Sequence, residues 1–235
     1  MNIFGAFTFG GLIKTFLPGF VWLIAIAILE ADITQAHGAS PFILNYAKTH
    51  DQAALLLSIP VSILLGLLSN IVVFMGVNDF LVRDPVKKAN PRLFALYDSL
   101  TAKIRDRCWK GAGLEDEEGR KEFDRHADAE LIVLPTVGAD KLAYIREQYW
   151  YHLEFQINLL LSVVVLFAAL AVRSWLNVSS FSAFVIHLLS YSIPAGLVCV
   201  LLVRAARKNY HRHIAKMMSL MASILSPKAQ ESPCD

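Results

Sequence analysis

Four polar side chains, Glu30, Asn70, Asn158 and His187, lie inside or at the ends of long apolar stretches. A carboxylate, imidazole or carboxamide in hydrocarbon must find a partner, so such residues mark either a polar path or the bonds that fix a helix bundle. At 1.5 Å of rise per residue, Glu30 falls roughly 6 Å and His187 roughly 10 Å from the same outer boundary. The two are expected to meet, titrate as a coupled pair and line a shared path. Ala183, His187, Tyr191, Ala195 and Cys199 follow one another at four-residue spacing, which puts Tyr191 on the same face as His187. Asn70 and Asn158 both lie roughly 7–10 Å from the opposite boundary. They are read first as bonds between helices and second as lining for a water-filled path.

Other pairings fail on spacing. His211 and His213, two positions apart on a helix, point about 200° apart and cannot close on one ion. Asp124, His126 and Asp128 fail in the same way, so both groups are expected to be solvated and no metal or cofactor is expected. His152 and Glu154 show no recognised catalytic spacing. The chain has no HExxH, no phosphate-binding glycine loop followed by Lys and Ser/Thr, no CxxC and no GxSxG. No catalytic residue is therefore assigned, and the balance leans away from an enzyme. The basic tail lacks the charge excess and interleaved aromatics of a nucleic-acid surface.

The elements that would position these residues are membrane helices. Of 235 residues, 55% are hydrophobic and 18% charged, and the mean hydropathy is +0.47. The apolar residues gather in blocks, and the uncharged stretches 52–78, 155–172 and 174–203 each approach or exceed the ~20 residues that cross a bilayer as helix. Lys14 and Glu30 enclose fifteen uncharged residues, so the first span must reach Thr34. A cleaved signal peptide fits poorly, because acidic Glu30 and Asp32 stand where its small-residue cleavage site would be. The predicted fold is all-α: a polytopic membrane protein with four transmembrane helices, a helical cytoplasmic segment between spans two and three, and a C-terminal amphipathic helix.

Charge sets the expected orientation. With both termini and residues 83–153 on one side, that side holds all of the 22 basic residues except Lys48 and Arg173, a strong positive-inside bias. The N-in, C-in arrangement suits a bacterial inner membrane. Trp175 at the outer edge and Tyr149, Trp150 and Tyr151 at the inner edge suit the headgroup belts. Cys108 and Cys234 fall on the cytoplasmic side and Cys199 within span four, which leaves no extracellular disulfide framework. The sequon Asn177-Val178-Ser179 is read as chance, since its loop is too short to stand clear of the membrane.

The predicted organisation is an interfacial segment 1–15, with Leu17-Pro18-Gly19 as the turn into span one at 16–34. An outer loop 35–51, span two at 52–82 and the cytoplasmic segment 83–153 follow. Span three at 154–173, a loop 174–180, span four at 181–203, a basic helix 204–226 and a disordered tail 227–235 complete the chain. Within the central segment, Asn90-Pro91 opens a helix with Leu93, Leu96, Leu100 and Ile104 at helical spacing. Gly111 and Gly113 end it. A second helix starts at Glu115–Glu118 and ends at Pro135 and Gly138. A third begins near Asp140 and runs on into span three.

Two further faces bear on assembly. Ser58, Ser62, Gly66 and Asn70 repeat every four residues in span two, a small-residue stripe that permits close helix approach within a bundle or between copies. In the tail, Tyr210, Ile214, Met217, Met221 and Ile224 form a heptad-like seam, beside the basic residues Arg204, Arg207, Lys208, Arg212 and Lys216. That tail suits contact with anionic headgroups or oligomerisation in equal measure. The leading expectation is a non-enzymatic multi-pass subunit that oligomerises and forms a conduit or channel, or anchors a cytoplasmic protein partner. Alternatives are a membrane sensor of a bacterial defence or envelope-stress system, signalling through residues 83–153, and a membrane enzyme acting on lipid.

Overall fold

The computed structural model describes residues 9–126, 138–178 and 180–225. The expected disordered tail, most of the N-terminal segment, Asp128, Pro135 and Ser179 of the sequon lie outside these residues. The described fold is all-helical: α1 (Phe9–Ala36), α2 (Phe42–Thr49), α3 (Asp51–Val72), α4 (Asp84–Ala89), α5 (Pro91–Gly111), α6 (Glu117–His126), α7 (Ala139–Ile145), α8 (Tyr151–Asn177) and α9 (Phe181–Leu225). Four helical stretches are long and apolar enough to cross a membrane: 14–36, 51–77, 140–177 and 181–225.

The chain divides into two compact units. The first comprises residues 1–82 and 151–207, the second residues 83–150 and 208–235. In the first unit, α1 packs against both α3 and α8. Its core holds Ala25, Val73, Leu153, Ile157, Leu160 and Ala169. Small residues set the closest approach. A methyl group built on Gly19 would lie 1.7 Å from the Ser62 carbonyl oxygen, and one on Gly66 would lie 1.9 Å from the Thr15 carbonyl oxygen. The register, Gly19 on Ser62 and Thr15 on Gly66, makes α1 and α3 antiparallel neighbours in backbone contact. The stripe on α3 is thus spent within one chain. Ser62 and Gly66 are buried there, Asn70 is half-buried, and Ser58 lies outside the contact, its hydroxyl donating to the Leu55 carbonyl.

Several local expectations are corrected. Pro18 and Gly19 are not a turn but lie inside α1, which begins by Phe9. A proline in such a helix costs one backbone bond, a loss that close packing by a neighbouring helix offsets. The segment expected as an outer loop carries α2, an amphipathic helix of eight residues. After Val72 the second long helix loosens into π-helical turns at Val73–Val77 and Asp79–Arg83, kinked where Gly76 adopts φ 143°, a conformation open to glycine and strained for other residues. α8 continues to Asn177, so residues 174–177, expected in a loop, are helical.

The second unit is built around Ile104, Leu142, Ile145, Met217, Met221 and Ile224, with Tyr97, Leu100, Cys108 and Tyr149 against them. α5 turns Phe94 and Ile104 inward and sets Leu100 against the same core, whereas Leu96 of the expected repeat is half-exposed and Phe94 takes the buried place. Tyr210 joins the interior by packing on Phe94, with ring centroids 6.1 Å apart. Arg107 donates to the Ile224 carbonyl oxygen at 3.0 Å and satisfies a group in the last turn of α9. α6 is held to α5 by Asp124, which accepts from the Trp109 indole at 3.2 Å and approaches Arg105 at 3.9 Å.

Candidate functional site: the polar layers of the helical bundle

α1 carries polar contacts along its length. At one end, Lys14 reaches Glu154 of α8 at 2.5 Å, and its ammonium lies 3.8 Å from the centre of the Tyr151 ring. Both charged side chains are mostly buried, so the pair stands in a medium where each partner depends on the other. Nearby, Asn158 of α8, 2% exposed, links two residues of α3. Its amide donates to Asn70 Oδ1 at 2.8 Å, and its carbonyl accepts from Ser69 Oγ at 3.1 Å. Ser162 closes the cluster by donating to the Asn158 backbone oxygen at 2.8 Å. Asn70 and Asn158 thus meet, and each satisfies the other across a helix interface.

Toward the other end of α1, buried Asp32 accepts from Asn177 of α8 at 3.2 Å, while its second oxygen has no hydrogen-bond partner among the described residues. Glu30 takes a different partner from the one its depth implied. Its carboxylate accepts the backbone N–H of Phe42 and, at 3.3 Å, that of Ile43. These are orphan donors of the first turn of α2, whose own N-cap, Pro41, supplies no side-chain bond. Glu30 therefore caps a neighbouring helix and is not paired with His187. His187 is exposed on α9, packed edge-on against Tyr191 with ring centroids 6.3 Å apart. The physical reason is directional: rise along a helix gives depth, but only the packing of α1 and α9 decides which way each face looks.

The tail residues are also placed differently from expectation. Ile214, Met217 and Met221 are buried within the second unit of the same chain, which removes them from headgroup contact and from a coiled-coil seam. Arg204, Arg207, Lys208, Arg212 and Lys216 remain exposed, Arg207 donating to the Leu81 carbonyl oxygen at 2.9 Å. The aromatic belt expected at residues 149–151 is engaged inside the chain as well. Tyr149 packs on the second core, Trp150 on His213 and Tyr151 on Lys14.

His213 departs from expectation too. It is buried, not solvated, at 8% exposure, with its ring 5.3 Å from that of Trp150 and no partner for Nδ1 among the described residues. Burial, reinforced by the Arg146 guanidinium, pushes its pKa down to about 4. Burial likewise pushes the Cys108 thiol up against the opposing effect of Arg107, which keeps it a poor nucleophile. An unfolded histidine binds its proton near pH 6.5, whereas the folded one resists until about pH 4. Between those values the unfolded state holds more protons, so stability falls as the pH drops through that window. Acidification from pH 7 to 5 is expected to weaken the second unit by about 2 kcal/mol. Denaturant titration followed by tryptophan fluorescence measures this, since Trp150 lies against the ring. His213→Gln should flatten the dependence, and an equally steep loss in that variant would show that other groups cause it.

Among the described residues no group of three or more His, Cys, Asp or Glu side chains is placed to hold a metal ion. His152 is exposed while Glu154 is occupied by Lys14, so these two are not brought together. The contacts that sequence reasoning missed are Lys14–Glu154, Asp32–Asn177 and the cap on α2. The first had a legible signal, opposite charges at the same ends of spans one and three. The cap had none. No protein-family model, curated protein or solved structure matches this chain.

Proposed function

We propose that the chain is a non-enzymatic multi-pass membrane subunit that self-associates through its fourth span and displays a helical unit in the cytoplasm. Both termini and residues 83–153 lie on the cytoplasmic side in this reading, as the basic residues favour. The observation that carries it is the state of α9. None of its most apolar window is buried within the chain, against 22–28% for the other three spans. That same exposed span carries His187, whose ring makes no hydrogen bond among the described residues. An imidazole roughly 10 Å inside the hydrocarbon is costly without a partner. Two copies meeting along the Ala183, His187, Tyr191 face would satisfy it. A conduit through a single chain finds no support, because Asn70 and Asn158 bond to each other and backbone contact closes α1 onto α3. Any path must therefore run between copies. In the second unit, exposed Lys208, Arg212 and Lys216 offer positive charge to a cytoplasmic partner or to anionic headgroups.

The test uses a variant with Cys108, Cys199 and Cys234 changed to Ser and single cysteines restored along α9. Oxidation should cross-link copies through positions 187 and 191 and not through 189 and 193, which lie on the opposite face. The particle mass in detergent should be a multiple of the chain. A single-chain mass with no cross-link at any of the four positions would overturn the proposal. Orientation is read separately. A cysteine at Ala39 should react with an impermeant reagent in intact cells and one at Ala112 should not; the reverse pattern would invert the topology.

A further inference from the structure

α1, α2 and α3 enclose a cavity of about 350 Å³ lined by Leu23, Phe42, Ile43, Tyr46, Ala54 and Val61, among others. We propose that it binds one acyl chain of an outer-leaflet phospholipid. This inference uses the membrane topology proposed above but not self-association, and its experiment reads a single chain.

Its size falls in the range of ligand pockets, and its lining leaves water little to bond. The Ser58 hydroxyl on the wall is already spent on the Leu55 carbonyl, and apolar cavities of this kind stay dry. Depth names the occupant. Ala54 lies three residues and Val61 ten residues from Asp51, so this wall runs from roughly 5 to 15 Å below the boundary. Only lipid chains occupy that layer. The opposite wall is held in place rather than loosely laid down, because Glu30 accepts the Phe42 and Ile43 N–H groups. Phe42, Tyr46 and His50 then stack in succession along α2, with centroids 6.0 and 5.0 Å apart. Phe42, Ile43, Tyr46 and Ala47 share the face of α2 that lines the cavity, so this wall offers a hydrocarbon chain an apolar surface.

The experiment places the full chain in nanodiscs of phosphatidylcholine and phosphatidylglycerol that include a minor fraction bearing a diazirine in the acyl chain. After irradiation, adducts are mapped by peptide mass spectrometry. Adducts on 42–47 and 54–61 should exceed those on 64–71, a stretch of α3 outside the cavity whose Leu64, Leu67, Leu68 and Ile71 are exposed. Filling the cavity with Ala47→Leu and Ala54→Leu should bring the first two down to the level of the third. Glu30→Ala, which frees the wall, should reduce them, whereas Glu30→Gln, which keeps an acceptor oxygen, should retain them. Thermal midpoint and elution volume show that each variant is folded, and a variant that fails them is replaced by Ser58→Leu, which fills the same space from α3. Equal labelling of all exposed spans would mean surrounding lipid only and would overturn the proposal. So would labelling that the filled variants leave unchanged, or no labelling of the cavity walls.

Discussion

Alanine at Gly19 or Gly66 is expected to cost about 3 kcal/mol or more, the upper end for overpacking, because the added methyl meets backbone and not a yielding side chain. The built atoms lie 1.7 and 1.9 Å from carbonyl oxygens of the facing helix, well inside any tolerated contact. α1 and α3 must then move apart, and the Ser69–Asn158–Asn70 bonds between α3 and α8 sit on the helix that moves. Denaturation in mixed micelles followed by circular dichroism measures the loss. Leu67→Ala is the control, since Leu67 is 48% exposed and lies outside the contact. Because both glycines act at one interface, the double variant should fall short of the sum of the singles. A Gly66→Ala protein as stable as the Leu67→Ala protein would show that the helices do not touch there. The contact is within one chain, so the loss should be the same at any protein concentration.

Removing either member of the Lys14–Glu154 pair is the second large effect. Their side chains are 21% and 11% exposed, so Lys14→Met leaves a mostly buried carboxylate without its ammonium, and Glu154→Gln does the reverse. Each is expected to destabilise by about 3 kcal/mol, the lower end for breaking a buried pair, since some solvent reaches Lys14. The double change Lys14→Met with Glu154→Gln removes both charges together and should cost clearly less than the two singles combined. Lys14→Met also gives up the contact with the Tyr151 ring, so it should be the more damaging single change by about 0.5–1 kcal/mol. Thermal unfolding in detergent for the four proteins closes the cycle. Additive losses would mean that the two charges do not interact.

Both predictions concern residues whose importance was only partly visible in the sequence. Gly66 stood out because small residues recur every four positions on α3, but periodicity names a face and not its partner. Gly19, which completes the contact, reads in sequence as part of a turn, since Pro18-Gly19 breaks helices in water. Inside a packed bundle the same pair lets another backbone approach. Asn70 and Asn158 were matched by depth alone and do meet. Glu30 and His187 were matched by the same arithmetic and do not. Depth along a helix axis is one coordinate, and a contact needs rotation about the axis as well.

The sequence by itself determined the helical class, the four stretches apolar enough to cross a membrane, and the segregation of basic residues that sets the proposed orientation. These follow from composition and from hydrophobic runs, which are sums over local residues and need no knowledge of neighbours. Tertiary structure alone decided where each polar or amphipathic face is spent. The tail seam of Tyr210, Ile214, Met217, Met221 and Ile224 is buried in the second unit of its own chain, so it serves neither a coiled coil between copies nor a lipid surface. His213 is enclosed beside Trp150 and loses its affinity for a proton, where a solvated histidine would have kept it. Glu30 caps α2 because a loop returns that helix to its side. In each case the amino acid states what kind of partner it needs, and only the packing of distant helices decides which partner it gets.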